Sequence, residues 1–164
     1  MKESSEKYLL PFIAQHFLMK TLSLLQPWAS LVVFGAKEIE TRSWSTPYRG
    51  PLLIHASKGK AGEIFAGELP FKKYIADFKK LPFGSIIGKV TLTDVVRIGT
   101  GSLSYLKDET LNKLTMEEKA FGDYSPGRFA WIFKDPICFK NLMGVRGSLS
   151  LWEFNENLLT EEIG

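Results

Sequence analysis

Apolar residues run along this chain in short blocks cut by proline and glycine, and the blocks read more often as strands than as helices. Thr21–Leu25 has strand length. Pro27 suits the first turn of a helix that continues through Trp28–Phe34 until Gly35 closes it in a left-handed cap. Lys37–Arg42 alternates, with Lys37, Ile39 and Thr41 on one face and Glu38, Glu40 and Arg42 on the other. Ser43–Gly50 holds Pro47 and Gly50 and reads as a loop, and Pro51–Ala56 is an apolar run of strand length.

Residues 60–80 read as one or two short helices ending at Leu81-Pro82. A long strand follows over Ile86–Ile98. Leu103–Phe121 is polar, with Leu103, Leu106, Leu111 and Leu114 roughly at helical spacing, which predicts a partly helical excursion. Phe129, Trp131 and Phe133 alternate as a core-facing strand stripe, and Ser148–Phe154 is the last strand. Short strands with helices inserted between them argue against a doubly wound α/β sheet. The expected architecture is mainly β: strands near 21–25, 37–42, 51–56, 86–98, 128–134 and 148–154 closing into a small barrel, with 27–35 as a helix leading into a cleft. The organisation is a 1–18 N-terminal extension, one domain over 19–156 and an acidic, loose 157–164 tail. Met19 is an alternative start.

Composition narrows this reading. A chain of 164 residues has room for one domain with a real core. Net charge is only +3, so charge placement, not total charge, must carry any nucleic-acid argument. The single cysteine, Cys138, allows no internal disulfide and no cysteine-based zinc site. His16 and His55 are the only histidines, so no metal and no cofactor are expected. Leu9–Leu18 is too short and too interrupted to span a bilayer, so no membrane association is expected and the cytoplasm is the expected location.

Functional chemistry concentrates between Gln26 and Arg49. Helix end, strand and loop here bring together Lys37, Arg42, Arg49, Trp28, Trp44 and Tyr48. From 37 to 60, Lys37, Arg42, Arg49, Lys58 and Lys60 face only Glu38 and Glu40, a local excess equal to the charge of the whole chain. Cations beside aromatic rings suit a nucleotide, because the cations meet phosphate and the rings stack on bases. Lys37, Arg42 and Arg49 are therefore expected to converge on one solvent-reachable pocket. Asp123-Tyr-Ser-Pro-Gly-Arg128 is either the far wall of that cleft or a tight turn with Arg128 tied to Asp123.

The spacing Gly35-x-Lys37-x-x-Glu40-x-Arg42 resembles the signature of the ASCH domain (activating signal cointegrator homology), a relative of the PUA domains. The Gln26-Pro27-Trp28 opening, the Tyr48-Arg49-Gly50-Pro51 turn and the Phe121–Arg128 segment extend the resemblance over about Met19 to Phe154. It implies a PUA-like barrel whose cleft takes RNA or a nucleoside. One branch of that superfamily deacylates N4-acetylcytidine with a lysine, a threonine three residues later and a distant glutamate. Lys37 matches the lysine, whereas Glu40 stands at the threonine position and Thr41 falls on the opposite strand face. Asp108, Glu109, Glu117 and Asp123 are the candidates for the distant acid.

Two readings follow. The first is a module that binds RNA, a nucleoside or a nucleotide through Lys37, Glu40, Arg42, Trp28, Trp44, Tyr48, Arg49, Asp123 and Arg128. The second is a hydrolase, with Lys37 and Glu40 catalytic, acting on a nucleobase amide or as a ribonuclease on a phosphodiester. Each residue also has a structural role open to it: Trp28 in the core, Glu40 and Arg42 as an ion pair bracing the loop, and His55 as a hydrogen-bonded interior residue.

Overall fold

The computed structural model of the chain describes residues 18–99, 111 and 113–160. The N-terminal extension up to residue 17, Leu103 and Leu106, and residues 161–164 lie outside them. Six strands form one sheet: β1 (Leu18–Leu24), β2 (Ile39–Arg42), β3 (Gly50–Ala56), β4 (Ser85–Arg97), β5 (Phe129–Gly144) and β6 (Leu151–Asn155), in the order β2-β5-β4-β3-β1-β6. All pairs are antiparallel except β1 with β3. Every expected strand is present. The largest difference is β5, which continues to Gly144 because its second half pairs with the start of β4 around Gly88–Cys138 and Ser85–Gly144.

Among the described residues no ladder joins the terminal strands β2 and β6, so the sheet is not sealed by backbone pairing. It is nevertheless strongly coiled. Arg42 on β2 donates from Nη2 to the Ser23 carbonyl of β1 at 3.0 Å, although β1 lies four ladder steps away. In a flat sheet that separation is roughly 19 Å, beyond the reach of one side chain. Irregular register at Ile86/Gly88, Lys89/Thr91 and Leu92/Asp94 in the β4–β5 pair supplies the bending. A side chain, not a hydrogen-bond ladder, bridges β2 to β1.

The helix α1 (Trp28–Val33) fills the space inside the coiled sheet, with Ala29, Ser30, Leu31, Val32 and Val33 all buried. A helix apolar all round belongs in a core. It ends as expected: Gly35 has φ +77°, its N–H reaches the Val32 carbonyl, and the Ala36 N–H reaches back to Leu31. Gly88 lets the helix approach β4, since a Cβ there would lie 2.5 Å from Val33 Cγ1 and 2.3 Å from the Ile137 carbonyl oxygen. Trp131 and Phe133 are buried in this core with Leu52, Ile54 and Val90, while Phe129 packs at its edge.

Residues 60–80 form a helical turn, α2 (Glu63–Ala66), and two 3-10 turns, 71–73 and 78–80. They build a second apolar cluster of Phe71, Ile75 and Phe78 with Leu31 and Phe121. Within the expected excursion, α3 (Met116–Ala120) is helical and capped by the Thr115 side chain on the Glu118 N–H. The tail departs from expectation at its start, where α4 (Asn157–Thr160) forms and Leu159 packs with Trp152 and Phe154. No helix among the described residues is long and apolar enough to cross a membrane.

Candidate functional site

Alternation along residues 37–42 turns Lys37, Ile39 and Thr41 inward, as the pattern predicts. For Lys37 the consequence is unexpected. Its side chain is fully buried, its ammonium donates to the Ile39 carbonyl, and it lies 3.6 Å from Glu40 Oε2 and 3.7 Å from Glu118 Oε1. A buried ammonium is tolerated only when paired and hydrogen-bonded, and both conditions hold here.

Glu118 is the residue that sequence reasoning missed. It projects from α3, is itself buried, and accepts the backbone N–H groups of Glu38 (3.0 Å) and Ile39 (3.2 Å). Burial raises its carboxyl pKa above the ordinary value, opposed by the Lys37 charge and these two N–H donors. The sequence signal was Thr115-x-x-Glu118, the capping-box spacing, in which such a glutamate ordinarily folds back on its own helix end. Here Thr115 caps the helix and the carboxylate crosses to β2. Of the acids expected at this place, Glu117 instead pairs with Lys73 at 2.9 Å on the surface, and Asp123 bonds Ser125. Asp108 and Glu109 fall outside the described residues. Tyr124 completes the cluster: burial, then the charges of Glu118 and Glu40, push its phenol pKa upward.

The remaining residues sort into two groups. Arg42 Nε lies 3.2 Å from Glu40 Oε1, close enough for charge pairing but without a directed hydrogen bond. Arg128 holds the Thr41 carbonyl at 3.1 Å and the Asp123 carbonyl at 3.1 Å, while the Asp123 N–H donates to Thr41 Oγ1 at 3.0 Å. Thus the segment from Phe121 to Arg128 is clamped against β2. A cleft of about 320 Å³ opens there, lined by Trp28, Glu40, Thr41, Phe65, Phe71, Phe121 and Asp123 among others. Trp28 is half-buried, donates its indole N–H to the Phe121 carbonyl at 2.8 Å, and stands edge-on to Phe65 and Phe71.

The loop group stands apart. Trp44 packs edge-on against Trp131 with ring centres 4.7 Å apart, and the Tyr48 hydroxyl donates to the Pro51 carbonyl. Arg49 is spent on the Thr46 and Tyr48 carbonyls and on Asp94, 3.0 Å away. Lys37, Arg42 and Arg49 therefore do not converge on one solvent-reachable pocket: the first is buried, and all three are paired with carboxylates. Sequence alternation places a lysine on a face but not the acids that will meet it there.

The ASCH domain family model matches residues 22–143, spanning both the Lys37 cluster and the Phe121–Arg128 clamp. The chain belongs to the ASCH domain family. Activating signal cointegrator 1 of Homo sapiens is 29% identical over 143 residues, covering 84% of this chain and 22% of that protein. The Mus musculus protein of the same name is 29% identical over 146 residues, with the same coverage. The chain thus spans about a fifth of the length of these relatives. Among solved structures, ASCH from Zymomonas mobilis superposes with a TM-score of 0.53 at 16% identity, covering 88% of this chain and 93% of that one. A variant of the same protein gives 0.51 at 15% identity, over 88% and 94%. At that identity the likeness establishes the ASCH fold.

Proposed function

We propose that this ASCH domain binds RNA by taking an unpaired base, or a free nucleoside, into the cleft beside Glu40 and Asp123. The observation that carries this reading is the composition of the cleft. The rings of Trp28 and Phe65 offer stacking surface, and the two carboxylates offer acceptors for the amino groups of a base. Lys37 and Arg42 are already neutralised by Glu40 and Glu118, so the cleft suits an uncharged base better than a phosphate. Phe65 is the most accessible of the rings, at 42% exposure, and can be removed without opening the core. Phe65→Ala is expected to weaken binding of a short single-stranded RNA by roughly tenfold, in line with about 1–3 kcal/mol per stacked base. Calorimetric titration reads this directly, and an unchanged affinity rejects the base cleft.

Glu118 favours a second, enzymatic reading, since at 3.7 Å from Lys37 it supplies the distant carboxylate of the amidohydrolase pattern. Two features oppose it. A carboxylate, Glu40, occupies the position of the hydroxyl, and the Lys37 ammonium is engaged by a carbonyl and two acids. Incubation with N4-acetylcytidine is expected to release no cytidine. Robust turnover that disappears in Glu118→Gln establishes the hydrolase instead.

A further inference from the structure

We propose that a second groove, lined by Ser23, His55, Ser57, Lys58, Arg146 and Ser148, is a phosphate-binding site that takes the phosphoryl group of a nucleotide or of an RNA strand. The groove has a volume of about 800 Å³ and lies where the end of β3 meets the 145–149 segment before β6. No carboxylate lines it. Lys58 and Arg146 are exposed, and neither makes an ion pair among the described residues. Every cation of the Gly35–Arg49 region, in contrast, is neutralised, as are Lys20 by Glu153 and Arg128 by Asp123. Two uncompensated cations facing one concavity attract an anion, and hydroxyl groups beside them match the acceptor oxygens of phosphate.

The groove is built on a rigid floor. The Trp152 indole N–H donates to Ser23 Oγ at 3.1 Å, and His55 sits between Ser23 Oγ (Nδ1, 3.1 Å) and the Val145 carbonyl (Nε2, 2.9 Å). A carbonyl can only accept, so His55 carries a proton on Nε2. Burial lowers its pKa, leaving Nδ1 to accept the Ser23 hydroxyl at neutral pH. Gly147 rests directly on this pair, since a Cβ there would lie 2.6 Å from His55 Nδ1 and 2.7 Å from Ser23 Oγ. The Val145 N–H anchors the segment to the Gly84 carbonyl at 3.0 Å, and the Lys58 stem lies across Gly84. With Ser23 and His55 committed to each other, Ser57 lines the groove with an Oγ that is buried and has no hydrogen-bond partner. Ser23 also joins the two sites, because its carbonyl holds Arg42, which pairs with Glu40 in the base cleft. The nucleotide character of the ligand rests on the proposed RNA binding; the phosphate chemistry of the groove does not.

The test is a nitrogen–proton NMR titration of the whole chain with inorganic phosphate, cytidine, cytidine 5′-monophosphate and a short single-stranded RNA. The phosphate-bearing probes are expected to shift the Gly147 amide and the Trp152 indole signals, and cytidine is expected to leave them in place. Lys58→Ala combined with Arg146→Ala changes only exposed side chains and should keep the thermal midpoint. It should cost at least about tenfold in RNA affinity and lower the salt-dependence slope by about 1, given ~0.7 per phosphate contact on single strands. Silent Gly147 and Trp152 signals, or unchanged affinity and slope in the double variant, overturn the groove. If RNA and cytidine still move the Trp28 indole signal, the base cleft survives that failure. If phosphate acts at Gly147 while Phe65→Ala leaves RNA affinity untouched, the groove survives and the base cleft fails.

Discussion

Lys37→Ala is expected to destabilise the protein by about 3–5 kcal/mol at neutral pH, the usual cost of removing one partner from a buried ion pair. The substitution leaves Glu118 and Glu40 facing each other's surroundings without the ammonium that lies 3.7 and 3.6 Å from them. Loss of ligand affinity with the fold spared is expected only for a lysine in a solvent-filled cleft. The fully buried side chain reverses it. The loss should also depend on pH. Burial already holds the Glu118 carboxyl above its ordinary pKa, so its contribution to stability is complete below the unfolded value and is lost as pH rises through the folded one. Deleting Lys37 removes the charge that opposes this shift and drives the carboxyl higher still. The difference between wild type and Lys37→Ala should therefore be smaller near pH 5 than near pH 8, because protonated Glu118 no longer needs a cation. Urea unfolding at the two pH values measures both. A loss under about 1 kcal/mol near pH 8 would mean that the carboxylates are solvated and the pair behaves like a surface one.

The second large effect is expected at Trp131. Its side chain is wholly buried, its ring meets Trp44 edge-on, and its indole N–H reaches the Trp44 carbonyl at 3.3 Å. Trp131→Ala should cost about 3–5 kcal/mol through lost burial and the cavity left behind. The consequence reaches beyond β5. Trp44 and Tyr48 both pack on this core, so the 43–50 loop that carries Arg49 is anchored largely through Trp131. Trp131→Phe retains most of the ring but gives up the hydrogen bond, with an expected cost of about 1–2 kcal/mol. Amide hydrogen exchange should accelerate across residues 43–50 in both variants, more in the alanine. Exchange confined to β5 would separate the loop from the core and reject this coupling.

The alternation of Lys37–Arg42, the Gly35 cap and the stripe at Trp131 and Phe133 each follow from local periodicity or backbone geometry. Such signals depend on neighbours a few positions away, so one sequence suffices to read them. The same holds for the ASCH resemblance, because its motif is a spacing within one strand and its cap. Glu118 was out of reach for the opposite reason. Its partners are 79 to 81 residues distant, and its local context, Thr115-x-x-Glu118, points to a cap instead.

By itself the sequence determined which segments become strands, how residues 37–42 divide between two faces, and that a helix follows Pro27, since these follow from periods of two and 3.6 and from turn chemistry. Only the tertiary structure decided which charges cancel. Coiling of the sheet brings β2 to β1, so that Arg42 meets Ser23, and packing of α3 on β2 delivers Glu118 to Lys37. The same packing leaves Lys58 and Arg146 without a counter-charge beside an 800 Å³ groove. Whether a charged residue serves binding or stability is set by the distance to opposite charges and by access to water, and both are properties of the folded chain.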